Sequence, residues 1–174
     1  MKQKGIDSFV NQRVWIIGAS SGIGEACTQA FIKAGAKVAL SSRRAEKLNA
    51  IAQSAKSGQS LVLPLDVTQQ DQLSSAYQSI SDSWGGLDLL LFVSGVYTPL
   101  RADNFDFGIA QKTIDANLLG PMRAVSLVLP NMLKAHAGHI AIVGSVAGYS
   151  GLPKALAYGP SLSLIHISEP TRRS

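Results

Sequence analysis

Val14-Trp15-Ile16-Ile17-Gly18-Ala19-Ser20-Ser21-Gly22-Ile23-Gly24 is the stretch on which the fold turns. A short apolar run ends in glycine. Beyond the glycines, Ile23, Cys27, Ala30, Phe31 and Ala34 recur at helical spacing until Gly35 stops the pattern. A turn without Cβ atoms lets the backbone approach a pyrophosphate, and the helix that follows offers free N–H groups and a positive dipole end. Gly18, Gly22 and Gly24 supply the turn, the backbone of Ile23 follows it, and Ser20 and Ser21 can add hydroxyl donors. A packing role alone is the rival reading of such a loop. Its place after the first strand favours nucleotide binding, and the absence of Gly-Lys-Ser/Thr excludes a P-loop.

Outward from this unit, strand and helix patterns alternate. Lys37–Ser41 reads as a second strand, Leu61–Leu65 as a third, Leu87–Val93 as a fourth and His139–Gly144 as a fifth. Pro64 marks the third as short or near an edge, and the fourth is apolar enough to be buried on both faces. Leu48, Ile51, Ala52 and Ala55 mark a helix. Another has Thr68 as its cap and Leu73, Ala76, Tyr77, Ile80 and Trp84 on one face. A long helical stretch from Phe105 to Lys134 is expected to bend near Gly120-Pro121 and again near Pro130. The expectation is an α/β fold, a doubly wound, mostly parallel sheet with right-handed crossovers and no internal repeat or domain boundary.

Composition bounds the function. The 174 residues are 46% hydrophobic and 16% charged, which suits one well-buried domain. No apolar run approaches the roughly 18 residues of a membrane span. Met1–Asp7 lacks the apolar segment of a signal peptide, so a soluble cytoplasmic protein is expected. Cys27, the single cysteine, sits on the apolar face of the first helix as a small hydrophobe. No cluster suggests a metal. The net charge of +5 is scattered, so nucleic acid is not an expected partner.

The end of the second strand should meet an adenosine ribose. An acid there would accept from a 2′-hydroxyl, whereas arginine suits a 2′-phosphate. Ser42 and Arg43 stand at that point and favour NADP over NAD, with Arg44 read as the opening of a solvated helix. Asp66, with Val67 beside it, either accepts from the adenine amino group or serves as a turn aspartate.

Gly18–Gly24, Leu65-Asp66-Val67, Asp115-Ala116-Asn117, Gly144–Gly148 and Ala157–Ser161 together resemble the short-chain dehydrogenase/reductase family over residues 13–161. The resemblance implies a Rossmann-type sheet that binds NAD(P) and an enzyme that interconverts a small-molecule alcohol and a carbonyl. Carried over by position, Tyr158 moves the proton, Ser145 holds the substrate oxygen, Asn117 anchors a water in the proton relay, and Gly95 lines the cofactor cleft. A homo-oligomer is implied for the full-length parent.

Two departures stand out. Phe92-Val93-Ser94-Gly95 replaces the usual Asn-Asn-Ala-Gly, so side-chain amide bonds at the sheet are lost. Leu162 stands where a lysine would lower the phenol pKa from its usual value near 10, so the chain as written is expected to be a poor enzyme. Residues 162–174 resemble a translated sequencing adapter. The expected organisation is therefore a leader at 1–12, an incomplete dinucleotide-binding domain at 13–161 and a foreign tail, with open apolar surface on the truncated side. A non-catalytic NADP-binding protein is the alternative that takes Leu162 at face value. A methyltransferase is disfavoured by Arg43, where such proteins want an acid. Substrate specificity would reside in loops around Tyr97–Arg101 and Tyr149–Lys154.

Overall fold

Along Arg13–Ile17 (β1) successive side chains point to opposite faces, and this alternation divides the core into two layers. Val14 and Ile16 pack on one face with Ile32, Leu48 and Ile51. Trp15 and Ile17 pack on the other with Leu73, Ile80, Ala124 and Val128. The remaining strands are Lys37–Ser41 (β2), Ser60–Val62 (β3), Leu89–Phe92 (β4) and His139–Ile142 (β5). The helices are Gly22–Lys33 (α1), Ala45–Ala52 (α2), Gln70–Trp84 (α3), Phe107–Ile114 (α4), Gly120–Ala135 (α5) and Tyr158–Ile167 (α6). The computed structural model describes residues 8–167, with the backbone alone for 164–167, so most of the stretch 162–174, expected to be a foreign tail, lies outside the described residues.

All strand pairs are parallel, in the order β3-β2-β1-β4-β5. The doubly wound α/β expectation matches this arrangement. β4 is buried throughout, β3 lies at one edge, and the half-buried β5 lies at the other. β3 stops at Val62 rather than Leu65, but its ladder runs on, since Leu63 N–H donates to Leu40 O and Leu65 N–H to Ser42 O. Pro64 falls between these donors, where a parallel ladder asks nothing of it. On the face of α5, Met122, Leu129 and Leu133 stay exposed.

The bend in the long helical stretch takes a different form from the one expected. Asp115–Leu119 is a π-helical turn joining α4 to α5, closed by Gly120 N–H donating to Asp115 O. Pro121 has no N–H, and its ring would crowd the carbonyl of Asn117 in a regular helix, so the turn widens just before it. Pro130 lies inside α5, which continues to Ala135. The expected cap of α3 is also corrected. Gln69 holds the cap position, because the Thr68 hydroxyl donates to Asp66 Oδ1 at 2.8 Å instead.

Arg13 and Asp88 join the starts of β1 and β4, the Arg13 N–H and Nε donating to Asp88 Oδ2 at 2.8 and 2.9 Å. At the other end of β1, Gly18 and Ala19 donate to Ser41 O, while Val93 and Ser94 donate to Ile17 O. The glycine turn is thus fixed to both neighbouring strands.

Candidate functional site

β1 lies between β2 and β4, so the connections leave it in opposite directions and open a crevice at the carboxyl ends of the strands. A cavity of about 750 Å³ occupies this crevice. Gly18, Ser20, Ser21, Ile23, Ser42, Arg43, Asp66, Val67 and Gly95 line it, as do Arg44 and Lys112. The sequence motifs at the ends of β1, β2 and β4 therefore meet at one place.

The three glycines of the turn do different work. Gly18 has φ +102°, and a Cβ there would lie 2.6 Å from Ser94 N, so it allows β4 to approach. A Cβ on Gly24 would lie 2.1 Å from Gly18 O, so this glycine seats α1 on the turn. Gly22 has φ +56° and nothing within 4 Å of a Cβ, leaving open space at the start of the helix. No side chain caps α1, so its first N–H groups stay available to an anion.

Arg44 corrects the reading of a merely solvated residue. Its Nη2 donates to Ser20 Oγ at 2.9 Å and to Ser21 Oγ at 2.6 Å, which brings the guanidinium across the glycine turn. The Arg44 N–H donates to Ser42 Oγ at 3.1 Å, a turn that directs its side chain back over β1. The available signal was the Ser42-Arg43-Arg44 run itself, but only the turn geometry distinguishes its two arginines.

Asp66 makes the bonds of a turn aspartate and also lines the cavity. Its Oδ1 accepts from the Thr68 N–H at 2.9 Å as well as from the Thr68 hydroxyl. Burial favours its neutral form, yet these bonds and the nearby charge of Arg43 outweigh it and hold the carboxyl below its usual range.

Ser145 and Tyr158 lie outside the lining of that cavity, on elements that pack together. Ser145 caps the short turn Val146–Gly148, its Oγ accepting from Ala147 N–H at 3.2 Å. Tyr158 is the first residue of α6, and a Cβ on Gly159 would come within 3.2 Å of Ala147 O. Leu162, one helical turn on, is buried at 6% exposure.

Asn117 sits in the π turn and is buried. Its Oδ1 accepts from Val96 N–H at 2.8 Å, while Nδ2 donates to Val96 O at 2.9 Å and to Ser161 Oγ at 3.1 Å. Both amide hydrogens are thereby committed to protein partners, so a relay water would need its second Oδ1 lone pair or its main-chain carbonyl. The same bonds steady the loop after β4, where the usual asparagine pair is absent. Sequence reading placed Tyr97 only at the head of a specificity loop; in the structure its ring meets that of Tyr158 edge to face.

The residues fit a dinucleotide: uncapped helical N–H groups and an open glycine suit the pyrophosphate, and Arg43, Arg44 and Lys112 suit further negative charge. Among the described residues, no group of His, Cys, Asp or Glu could hold a metal ion, and no helix is long and apolar enough to cross a membrane.

Comparison with known proteins agrees with this geometry. A family model described as short chain dehydrogenase matches residues 12–163. An uncharacterized oxidoreductase of Listeria innocua is 34% identical over 153 residues, covering 86% of this chain and 61% of the relative. Another, from Staphylococcus aureus strain MW2, is 28% identical over 151 residues, covering 87% of the chain and 65% of the relative. The chain thus spans less than two thirds of the length of these curated relatives. The crystal structure of serine dehydrogenase from Escherichia coli superposes with a TM-score of 0.83 at 26% identity, covering 90% of this chain and 72% of that one. A short-chain dehydrogenase from Streptomyces avermitilis shares the fold with a TM-score of 0.84 at 23% identity, over 90% of this chain and 57% of that one.

Proposed function

This chain belongs to the short chain dehydrogenase family, and from that premise we propose that residues 13–161 form the dinucleotide-binding unit of an NADP-dependent oxidoreductase that interconverts an alcohol and a carbonyl. The observation that carries the NADP preference is Arg44 reaching over the glycine turn to Ser20 and Ser21, with Arg43 beside it at the end of β2. A 2′-phosphate near this point would gain charge-assisted bonds from both guanidinium groups, whereas a 2′-hydroxyl would find no acceptor of the usual kind.

When bound, the dinucleotide supplies the hydride. For the rest, the Ser145 hydroxyl donates to the substrate oxygen and fixes its position. In reduction, the Tyr158 hydroxyl gives its proton to that oxygen, and in oxidation the phenolate takes it back. Leu162 offers no cation beside the phenol to favour the phenolate that oxidation needs. Turnover of the chain as it stands is therefore low, and alcohol oxidation suffers more than carbonyl reduction. Asn117 contributes by holding the backbone at Val96 and, through Ser161, at Tyr158.

Titration of the chain with NADPH and NADH by coenzyme fluorescence tests the binding, with tighter binding of NADPH as the expected result. Turnover is then measured for the chain and for Leu162→Lys over a broad panel of carbonyls and alcohols, with melting temperature as a folding control. A folded Leu162→Lys protein that binds NADPH and turns over nothing would favour a second reading, a non-catalytic NADP-binding protein. Its support is the close packing of Leu162, which is buried rather than left as a gap.

A further inference from the structure

We propose that Tyr97 is a positioning residue for Tyr158, an inference that rests on the oxidoreductase reading above. The two ring centroids lie 5.0 Å apart with their planes at 67°, an edge-to-face pair. Such a contact limits how the phenol ring can tilt, and the direction of its hydroxyl decides whether a carbonyl oxygen is met in line. Tyr158 is the first residue of α6, with no helical turn before it.

The pair is built from both sides. Asn117 grips Val96, the residue before Tyr97, by its N–H and its carbonyl. At the far end of the loop, Leu100 N–H donates to Lys154 O at 2.9 Å, and Leu156 N–H donates to Leu100 O at 3.4 Å. The loop that bears Tyr97 is thereby tied to the segment that leads into Tyr158. Asn117 also donates to Ser161 Oγ, which donates to Tyr158 O at 2.8 Å. One buried amide thus fixes the backbone beneath both rings.

Ordinary core packing does not account for Tyr97. The residue is 52% exposed, so it gains little by burial, and its ring rests against that of Tyr158. The contact is between rings, so phenylalanine can replace Tyr97 and leucine cannot.

The test has two arms. In the full chain labelled with ¹³C on its four tyrosines, the Tyr158 ring signal is identified by its loss in Tyr158→Phe. It should shift in Tyr97→Leu, as the ring current of Tyr97 is removed, and stay in place in Tyr97→Phe. In the Leu162→Lys background, Tyr97→Leu should lower kcat by about 2- to 13-fold, the worth of one edge-to-face pair, without changing NADPH affinity. Tyr97→Phe should keep the parent kcat. An unmoved Tyr158 signal, an unchanged kcat in Tyr97→Leu, or equal losses in the Leu and Phe variants overturns the proposal. A Leu162→Lys parent without turnover overturns the reading beneath it, even where the ring signals behave as described.

Discussion

Replacing Gly24 with alanine should destabilise this protein, although residue preferences alone say the opposite. Gly24 is the third residue of α1 and its φ is not positive, so alanine at an ordinary helical position would gain about 1 kcal/mol. The structure reverses the sign. The new Cβ would lie 2.1 Å from Gly18 O and 2.8 Å from Gly18 C, both backbone atoms. Ordinary contact begins near 3.4 Å, so α1 must lift from the turn by about an ångström. Overpacking of this kind costs up to about 3 kcal/mol, leaving a net loss near 2 kcal/mol after the propensity gain. For a chain of this size that is a fall in Tm of roughly 4–8 °C. Lifting α1 also draws its free N–H groups from the pyrophosphate position, so NADPH should bind at least about tenfold more weakly, the worth of one charge-assisted bond. Calorimetry with and without NADPH, together with a fluorescence titration, measures both effects. A Gly24→Ala protein that melts at or above the parent temperature would refute the claim that Gly24 seats the helix on the turn.

Other perturbations probe separate links. Arg44→Ala should raise the Kd for NADPH by about 10- to 100-fold while hardly changing that for NADH, and equal changes for the two coenzymes would remove the phosphate role. Asn117→Ala leaves both backbone groups of Val96 without a side-chain partner and should cost about 2–4 kcal/mol in urea unfolding. Asp88→Asn should lose about 1.5–3 kcal/mol at pH 7. Burial of Asp88 opposes its charge, but the bonds and charge of Arg13 prevail and hold its carboxyl below the usual range. That contribution is present above the unfolded pKa of about 3.9 and is lost as pH falls through the lower folded value, so the stability gap should close in acid. A gap that persists at the acid end would show that Asp88 acts by something other than its charge.

Much of the site could be read from order along the chain because a parallel sheet places the ends of its strands together. Gly18, Ser42, Asp66 and Gly95 each follow a strand, so their convergence on one cavity follows from topology. What could not be read was side-chain direction within a turn. Arg43 and Arg44 look alike in sequence, yet only Arg44 bonds to the serines of the glycine turn. Asp66 suited either a turn or an adenine in sequence, and only the structure shows its bond to Thr68, two residues away, and its place on the cavity wall. The π turn at Asp115–Leu119 was placed only approximately, because a proline announces an irregularity without saying how the preceding carbonyls will adjust.

By itself, the amino-acid order determined the alternation of strands and helices, their parallel pairing and the location of the glycine turn. These follow from local periodicity, from residues that lack Cβ or N–H, and from the short connections that such units allow. Tertiary structure alone decided that Gly24 is a contact surface, that Asn117 joins the loop after β4 to α6, and that Tyr97 rests against Tyr158. Those pairings span many residues of chain and depend on distances that only the packing of helices on the sheet can set.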